Sequence, residues 1–255
     1  MTLRTRSLTR RFGGLTAVDA VDFELRSDEL CSLIGPNGAG KTTFFNLLTG
    51  TLEPTDGMIE FRRDGEWVDL TDAPVHRTAQ LGIHRSYQLT NVFPNSTVME
   101  NVRIAAQAHG EDSMRLWRNV GGFGRYEREA EEILARVGLE AKAHQPATSL
   151  SHGERRMLEI AIALAGDPAV LLLDEPNAGV SSEGVDEIIA LIEDVAEDHG
   201  VLLVEHNMDV VMSVSDRIVV LHQGGVIADG TPDEVRHDEE VQEAYLGGYE
   251  RGAAA

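Results

Sequence analysis

Lysine is nearly missing from this chain of 255 residues: only Lys41 and Lys142 occur, and every other fixed cation is arginine. Cysteine occurs once, as Cys31 in the apolar run Leu30-Cys31-Ser32-Leu33-Ile34. No internal disulfide can therefore form; the lone thiol fits a reducing compartment and reads as a small buried hydrophobe. No apolar run approaches the roughly 20 residues of a membrane span, and no leader-like apolar stretch opens the chain. Any membrane role is thus expected to come through partner subunits. Internal repeats and low-complexity linkers are absent as well. Positive charge is scarce, with 22 Lys and Arg against 43 Asp and Glu for a formal net charge of -21, which argues against nucleic-acid binding. The acidic residues run along the whole chain. That pattern fits a salt-adapted protein, whose surface charge is heavily screened, or simply an acidic surface.

What is present is an ordinary 42% of hydrophobic residues, enough for one large domain or a core domain with a small insert. Short apolar runs alternate with amphipathic stretches, which predicts an α/β protein. Residues 2–8, 19–26 and 57–69 read as a small β region near the start. Glu29 to Ile34 reads as a strand running into a Gly-rich loop, and Thr42 to Thr49 as the helix after it. Further strands are predicted at Val170 to Leu173, Val201 to Val204 and Ile218 to Leu221, with a helix over Glu187 to Ala196. Such strand-helix-strand units favour a parallel sheet. Gln223-Gly224-Gly225 signals a hairpin. From Thr97 to about Leu150 only helical periodicity is found: Thr97 to Glu100 matches a capping box, Gly110 to Arg125 reads as a connector, and Tyr126 to Val137 as a second helix. The expected organisation is an α/β core of residues 1–88 and 151–255, interrupted by an all-helical insert of residues 89–150.

Three motifs carry chemistry. The run Gly35-Pro36-Asn37-Gly38-Ala39-Gly40-Lys41-Thr42-Thr43 fits G-x-x-x-x-G-K-[ST] between a strand and a helix, the context a phosphate loop needs. Its backbone N–H groups and the helix N-terminus would cradle phosphate oxygens, Lys41 would reach the β- and γ-phosphates, and the Thr42 hydroxyl would coordinate Mg²⁺. The second is the apolar strand ending in Asp174-Glu175. There Asp174 would face the loop and hold Mg²⁺, and Glu175 would polarise a water in line with the γ-phosphate. The third, Leu150-Ser151-His152-Gly153-Glu154-Arg155, starts a helix with a capping box and can also serve as an anion site. A weaker feature is Phe12, placed to stack on adenine with Val18 beside it.

The order of phosphate loop, Gln88, hexad, Asp-Glu strand and late His206 resembles the ATP-binding subunits of ABC transporters. The hexad resembles that family's Leu-Ser-Gly-Gly-Gln signature, with His152 in place of the first glycine and Glu154 in place of the glutamine. The resemblance implies a P-loop NTPase core with a mixed or parallel sheet, an N-terminal antiparallel region and a helical subdomain. It also implies ATP and Mg²⁺ as ligands, with Gln88 touching Mg²⁺ and sensing the γ-phosphate and His206 bonding that phosphate. Ser151, His152, Gly153 and Glu154 would meet a nucleotide held by another subunit. Ala178 to Ser181 occupies the station of the dimer-contact loop but lacks the aspartate often found there. Closer echoes lie in Phe12 to Val18, in Val204 to Asp209 and in Ala244-Tyr245-Leu246-Gly247. They look like the ATPases of branched-chain amino-acid uptake systems, although urea-type importers and lipid exporters share some of them.

Implied partners are a second ATP-binding subunit, identical or related, integral-membrane permease subunits and an extracellular solute-binding protein, with the chain on the cytoplasmic side of the membrane. A soluble ATPase of the same family, such as an iron–sulfur assembly type, is the rival. A generic P-loop kinase or GTPase would leave the hexad unexplained. No guanine-reading Asn-Lys-x-Asp run occurs.

Overall fold

The computed structural model describes residues 2–86, 92–109 and 123–252. Strands β1 (Leu3–Phe12), β2 (Leu15–Leu25), β4 (Asp56–Arg63) and β5 (Glu66–Asp69) make an antiparallel sheet in the order β2-β1-β4-β5. The second sheet contains β3 (Leu30–Ile34), β6 (Ile83–Ser86), β7 (Val170–Asp174), β8 (Gly200–Val204), β9 (Arg217–His222) and β10 (Gly225–Gly230). Its order is β10-β9-β3-β8-β7-β6, parallel throughout except for the β9/β10 hairpin.

The central strands β3, β7 and β8 bury every residue, which is why they are short uninterrupted apolar runs: a parallel strand is covered on both faces. Their side chains alternate between two cores. Cys31, Leu33, Leu172, Leu202 and Val204 join the core shared with the antiparallel sheet and helix α1 (Lys41–Leu48), including Phe44 and Phe45. Leu30, Leu171, Leu173, Val201 and Leu203 face the opposite core, which also takes the apolar stripes of the helices between β6 and β8. Those helices are α3 (Val98–His109), α4 (Phe123–Arg136), α5 (His152–Leu164) and α6 (Ser182–Ala196), with α2 (Val75–Leu81) preceding β6. Val98, Val102 and Ala106 of α3, and Tyr126, Ala130 and Leu134 of α4, recur at four-residue spacing toward that core. A third, smaller cluster joins Ile34, Ile218 and Val220 to α7 (Met208–Val214), α8 (Pro232–His237) and α9 (Glu239–Gly252).

Most expected elements are found within a residue or two. Gln223 and Gly224, at φ 51° and 89°, make the two-residue turn of the β9/β10 hairpin. Thr97 and Glu100 exchange both bonds of the capping box, at 2.8 and 3.1 Å. Two differences have physical causes. Helix α6 begins at Ser182, a turn before the apolar stripe that marked it at Glu187. Strand β6 was not expected, because Ile83-His84-Arg85-Ser86 is too polar to read as a buried strand. It forms beside β7 because its polar groups have partners there: His84 Nε2 lies 3.0 Å from the Ala79 carbonyl, and Arg85 bonds Asp174 and Asn46. Gln88 and most of the expected connector, residues 110–122, lie outside the described residues; Phe123 to Arg125 already belong to α4. Between β6 and β7 the described residues form helices and the turns that join them, with one isolated bridge, Thr97 to Pro146. No helix among the described residues is long and apolar enough to cross a membrane.

Candidate active site

The chemistry-bearing residues gather where β3, β7 and β8 end, the edge at which parallel α/β sheets present their ligands. After Ile34 the chain turns through Gly35 to Gly40 into α1. Gly40 holds φ 108°, and a Cβ there would lie 2.3 Å from the Ala17 carbonyl oxygen, so β2 and the loop can meet only over glycine. Gly35 is pressed equally hard against the Leu221 carbonyl of β9. The hairpin turn reinforces the loop, with Gly224 N–H donating to the Ala39 carbonyl at 3.0 Å. Helix α1 has no side-chain cap and no acidic residue in its first turn, leaving its N-terminal amides and positive potential available to an anion.

Lys41 is buried and turned back on its own loop, donating to the Gly35 carbonyl at 2.5 Å and the Pro36 carbonyl at 3.1 Å. Burial holds its ammonium below the usual lysine range, and the charges of Glu175 and Asp174 oppose that shift. Thr42 is exposed beside it, Thr43 and Pro36 are half-buried, and Asn37 and Gly38 form the exposed rim above the buried Ala39.

Asp174, at the end of β7, is buried and accepts from Arg85 Nη2 at 2.6 Å, while Arg85 Nη1 donates to Asn46 Oδ1 at 2.6 Å. Glu175 sits at φ 49°, a strained setting for a residue with a Cβ and a common one at reactive positions. Its N–H donates to the Val204 carbonyl at 2.8 Å, pinning it to β8. His206, just past β8, places Nε2 2.7 Å from Glu175 Oε1. The expected acid and histidine are thus in direct contact. Between them Glu205 is buried and accepts from the N–H groups of His206 and Asn177 at 3.1 and 3.2 Å, tying the two loops together.

Phe12 stands exposed at the tip of the β1/β2 hairpin with the Arg10 guanidinium 4.7 Å above its ring. Val18 does not share that surface: it is wholly buried in the core beneath, so of the two only Phe12 can present a face to a base. At the other end of the chain, Tyr245 packs against the Ile34 cluster and brings its phenol oxygen to the Gly35 backbone.

The hexad lies apart from the phosphate loop. Ser151 caps α5 in the expected box: its hydroxyl accepts from Glu154 N–H at 3.3 Å, and Glu154 Oε2 accepts from Ser151 N–H at 2.9 Å. Glu154 Oε1 accepts from Lys142, which comes from the 3-10 turn Glu140–Lys142. That cation, with the Ser151 backbone bond second, holds the Glu154 carboxyl below the usual range. His152 leans on Gly179, within 3.3 Å of where a Cβ would stand, and Val180 packs near Gly153, so the hexad and the Ala178 to Ser181 loop form one surface.

Arg85, Glu205 and Lys142 were not singled out by the motifs. For Glu205 a signal existed, since a carboxylate directly after an apolar parallel strand repeats the Asp174-Glu175 pattern. Arg85 and Lys142 left none, because their partners are 89 and 12 residues away.

Residues 18–178 match the family model described as ABC transporter, and residues 226–251 match the one described as branched-chain amino acid ATP-binding cassette transporter. The high-affinity branched-chain amino acid transport ATP-binding protein BraF of Pseudomonas aeruginosa is 42% identical over 252 residues, 96% of this chain and 97% of its own. LivG of Escherichia coli, named for the same transport, is 40% identical over 254 residues with the same coverage. The crystal structure of a nucleotide-free ATP-binding cassette from an ABC transporter superposes with a TM-score of 0.82 at 29% identity, covering 96% of this chain and 98% of that one. The ADP conformation of the cassette MJ1267 gives 0.80 at 28% identity, with the same coverage. A phosphate loop, an acidic strand end and a histidine converge on one sheet edge of this fold, and the chain belongs to the ATP-binding cassette family of ABC transporters.

Proposed function

We propose that this ATPase energises an importer of branched-chain amino acids, docking from the cytoplasmic side onto separate permease subunits fed by a solute-binding protein. The match of residues 226–251 to the branched-chain cassette model carries the cargo assignment, because that segment lies outside the general ATPase match. Relatives named for this transport, alike over nearly the whole chain, support it.

Lys41 exchanges the Gly35 and Pro36 carbonyls for the β- and γ-phosphates of ATP, and the loop amides and α1 N-terminus take the remaining phosphate oxygens. Phe12 stacks on the base. The Thr42 hydroxyl and the Asp174 carboxylate are hard oxygen donors suited to Mg²⁺. Thr42, Asp174 and Gln88 would hold that ion, and it would neutralise charge on the phosphates. Glu175 orients the attacking water and accepts its proton, and His206 steadies that carboxylate and turns to the γ-phosphate. Ser151 and Gly153, flanked by His152 and Glu154, close over the nucleotide of a second copy, so ATP favours the closed pair and hydrolysis releases it. Residues 89–150 act as the inserted helical subdomain that passes this change to the permease through Gln88; α5 shares its core.

Replacing Glu175 by Gln tests the assignment. The variant is expected to bind ATP as the wild type does, to lose nearly all turnover and to accumulate as nucleotide-bound dimers in sedimentation velocity. Wild-type turnover would refute the role of Glu175. Uptake of labelled leucine by vesicles containing this chain and its permease tests the cargo; uptake of urea instead would refute it.

A further inference from the structure

The two lysines of this chain both lie at the nucleotide machinery, and only Lys41 is accounted for by it. Among the described residues Lys142 pairs with Glu154, the residue that stands where the signature's glutamine would be. Glu154 uses both oxygens, one toward Lys142 and one on the Ser151 backbone, and the pair is part-buried. A glutamine would cap Ser151 equally well, because its side-chain carbonyl makes the same bond. The carboxylate therefore adds a negative charge at the helix end without adding a cap. That charge stands at the end of α5 which, on the two-copy reading, receives a triphosphate, on a chain whose formal net charge is already -21. Uncompensated, it would repel both the nucleotide and the second copy carrying it.

We infer that Lys142 is a positioning residue of the nucleotide sandwich: its ion pair with Glu154 cancels the carboxylate at the start of α5, so that Ser151 and Gly153 receive the γ-phosphate held by a second copy. The inference rests on the two-copy reading above. Lys142 itself touches neither nucleotide nor reacting atoms; it acts through Glu154. Any merely structural role, stapling the 3-10 turn to α5, predicts the same fold defect whether position 154 is acidic or neutral. An electrostatic role predicts dependence on that charge.

The test uses Glu175→Gln protein, in which hydrolysis does not deplete the dimer, and reads the ATP concentration giving half-maximal dimer by sedimentation velocity. Adding Lys142→Ala is expected to raise that concentration about tenfold at low ionic strength and less at 1 M salt, where the screening length falls to about 3 Å. ATP affinity of the dilute monomer is expected to be unchanged. Adding Glu154→Gln to the Lys142→Ala protein should restore the parent value. Failure of Lys142→Ala to shift the midpoint overturns the inference and leaves the ATPase reading standing. A shift that Glu154→Gln does not restore also overturns it, since the pair would then be only a staple. If the Glu175→Gln parent forms no ATP-dependent dimer, the two-copy reading falls and the inference with it.

Discussion

Arg85→Met should be among the most damaging single substitutions outside the phosphate loop. The Arg85–Asp174 pair is almost fully desolvated, with side chains 9% and 7% exposed and a contact of 2.6 Å. Methionine keeps an aliphatic stem of similar length near Phe45, over whose ring the guanidinium sits at 5.4 Å, and removes the charge and donors. Taking one partner from a buried pair costs about 3–5 kcal/mol because the other charge stays buried without compensation. Asn46 Oδ1 loses its donor as well, a loss of about 1 kcal/mol that overlaps with the first term. A total near 4 kcal/mol is a large part of the ~5–15 kcal/mol that domains usually possess. With a urea slope of about 3 kcal/mol per molar for a chain of this size, the midpoint should drop by more than about 1 M. The companion variant Arg85→Met with Asp174→Asn removes both charges and should recover more than half of the loss. The deficit of the single variant should also be nearly the same at 0.1 and 1 M salt, unlike that of an exposed pair such as Arg136 with Asp194. A cost below about 1 kcal/mol, or no recovery in the double variant, would refute the claim that Asp174 depends on this guanidinium.

Histidine 84 sets a pH dependence. Burial pushes its pKa from 6.5 down to about 4, with the neighbouring His109, 4.5 Å away ring to ring, adding to the shift. The folded state then keeps His84 neutral while the unfolded chain takes up a proton, so the stabilisation is complete above about pH 6.5 and is lost as pH falls toward 4. From pH 7 to pH 5 the wild type should lose about 2 kcal/mol more than His84→Gln in urea titrations. His109, also depressed by burial, acts in the same direction, whereas the depressed carboxyls of Glu60, Asp69, Glu100, Glu154 and Glu234 matter only below the ordinary carboxylate range. An equal loss in both proteins would remove His84 from the account. Cys31 is fully buried and its thiol is pushed up to about 12, so native protein should resist iodoacetamide at pH 8 and react fully in urea. Rapid native labelling would contradict that burial. Gly40→Ala must move β2 off the loop and strain φ 108°; a loss of more than about 2 kcal/mol with abolished ATP binding is expected, and wild-type nucleotide titration would speak against the close approach.

The sheet edge was legible because each of its strands announces itself twice: a mostly apolar run, then a glycine or a carboxylate that ends it. Gly35 after Ile34, Asp174-Glu175 after Leu173 and Glu205-His206 after Val204 follow that rule, and the parallel order brings the three ends together without any further information. Strand β6 breaks the rule by carrying its polar residues within the strand, where β7, α1 and α2 explain them. Val18 went astray for the opposite reason: alternation along β2 turns it inward while nearby Leu15 stays out, and a run of seven residues does not show which side faces the core.

The same distinction explains why the hexad's departures were readable as changes but not as a mechanism. A local pattern such as the Ser151–Glu154 cap closes over three residues and can be predicted from them. The charge of Glu154 is compensated by a lysine twelve positions earlier, brought near by a turn that packs under α4 and α5 through Leu139 and Ala143. Sequence spacing gives no reason to join them; a three-dimensional surplus of negative charge does. A chain with 43 acidic residues and two lysines has few ammonium groups with which to neutralise a site. In the two-copy arrangement proposed above, one would stand under the triphosphate and the other beside the carboxylate at the start of α5, so that neither the loop nor the facing helix end adds to the repulsion between the copies.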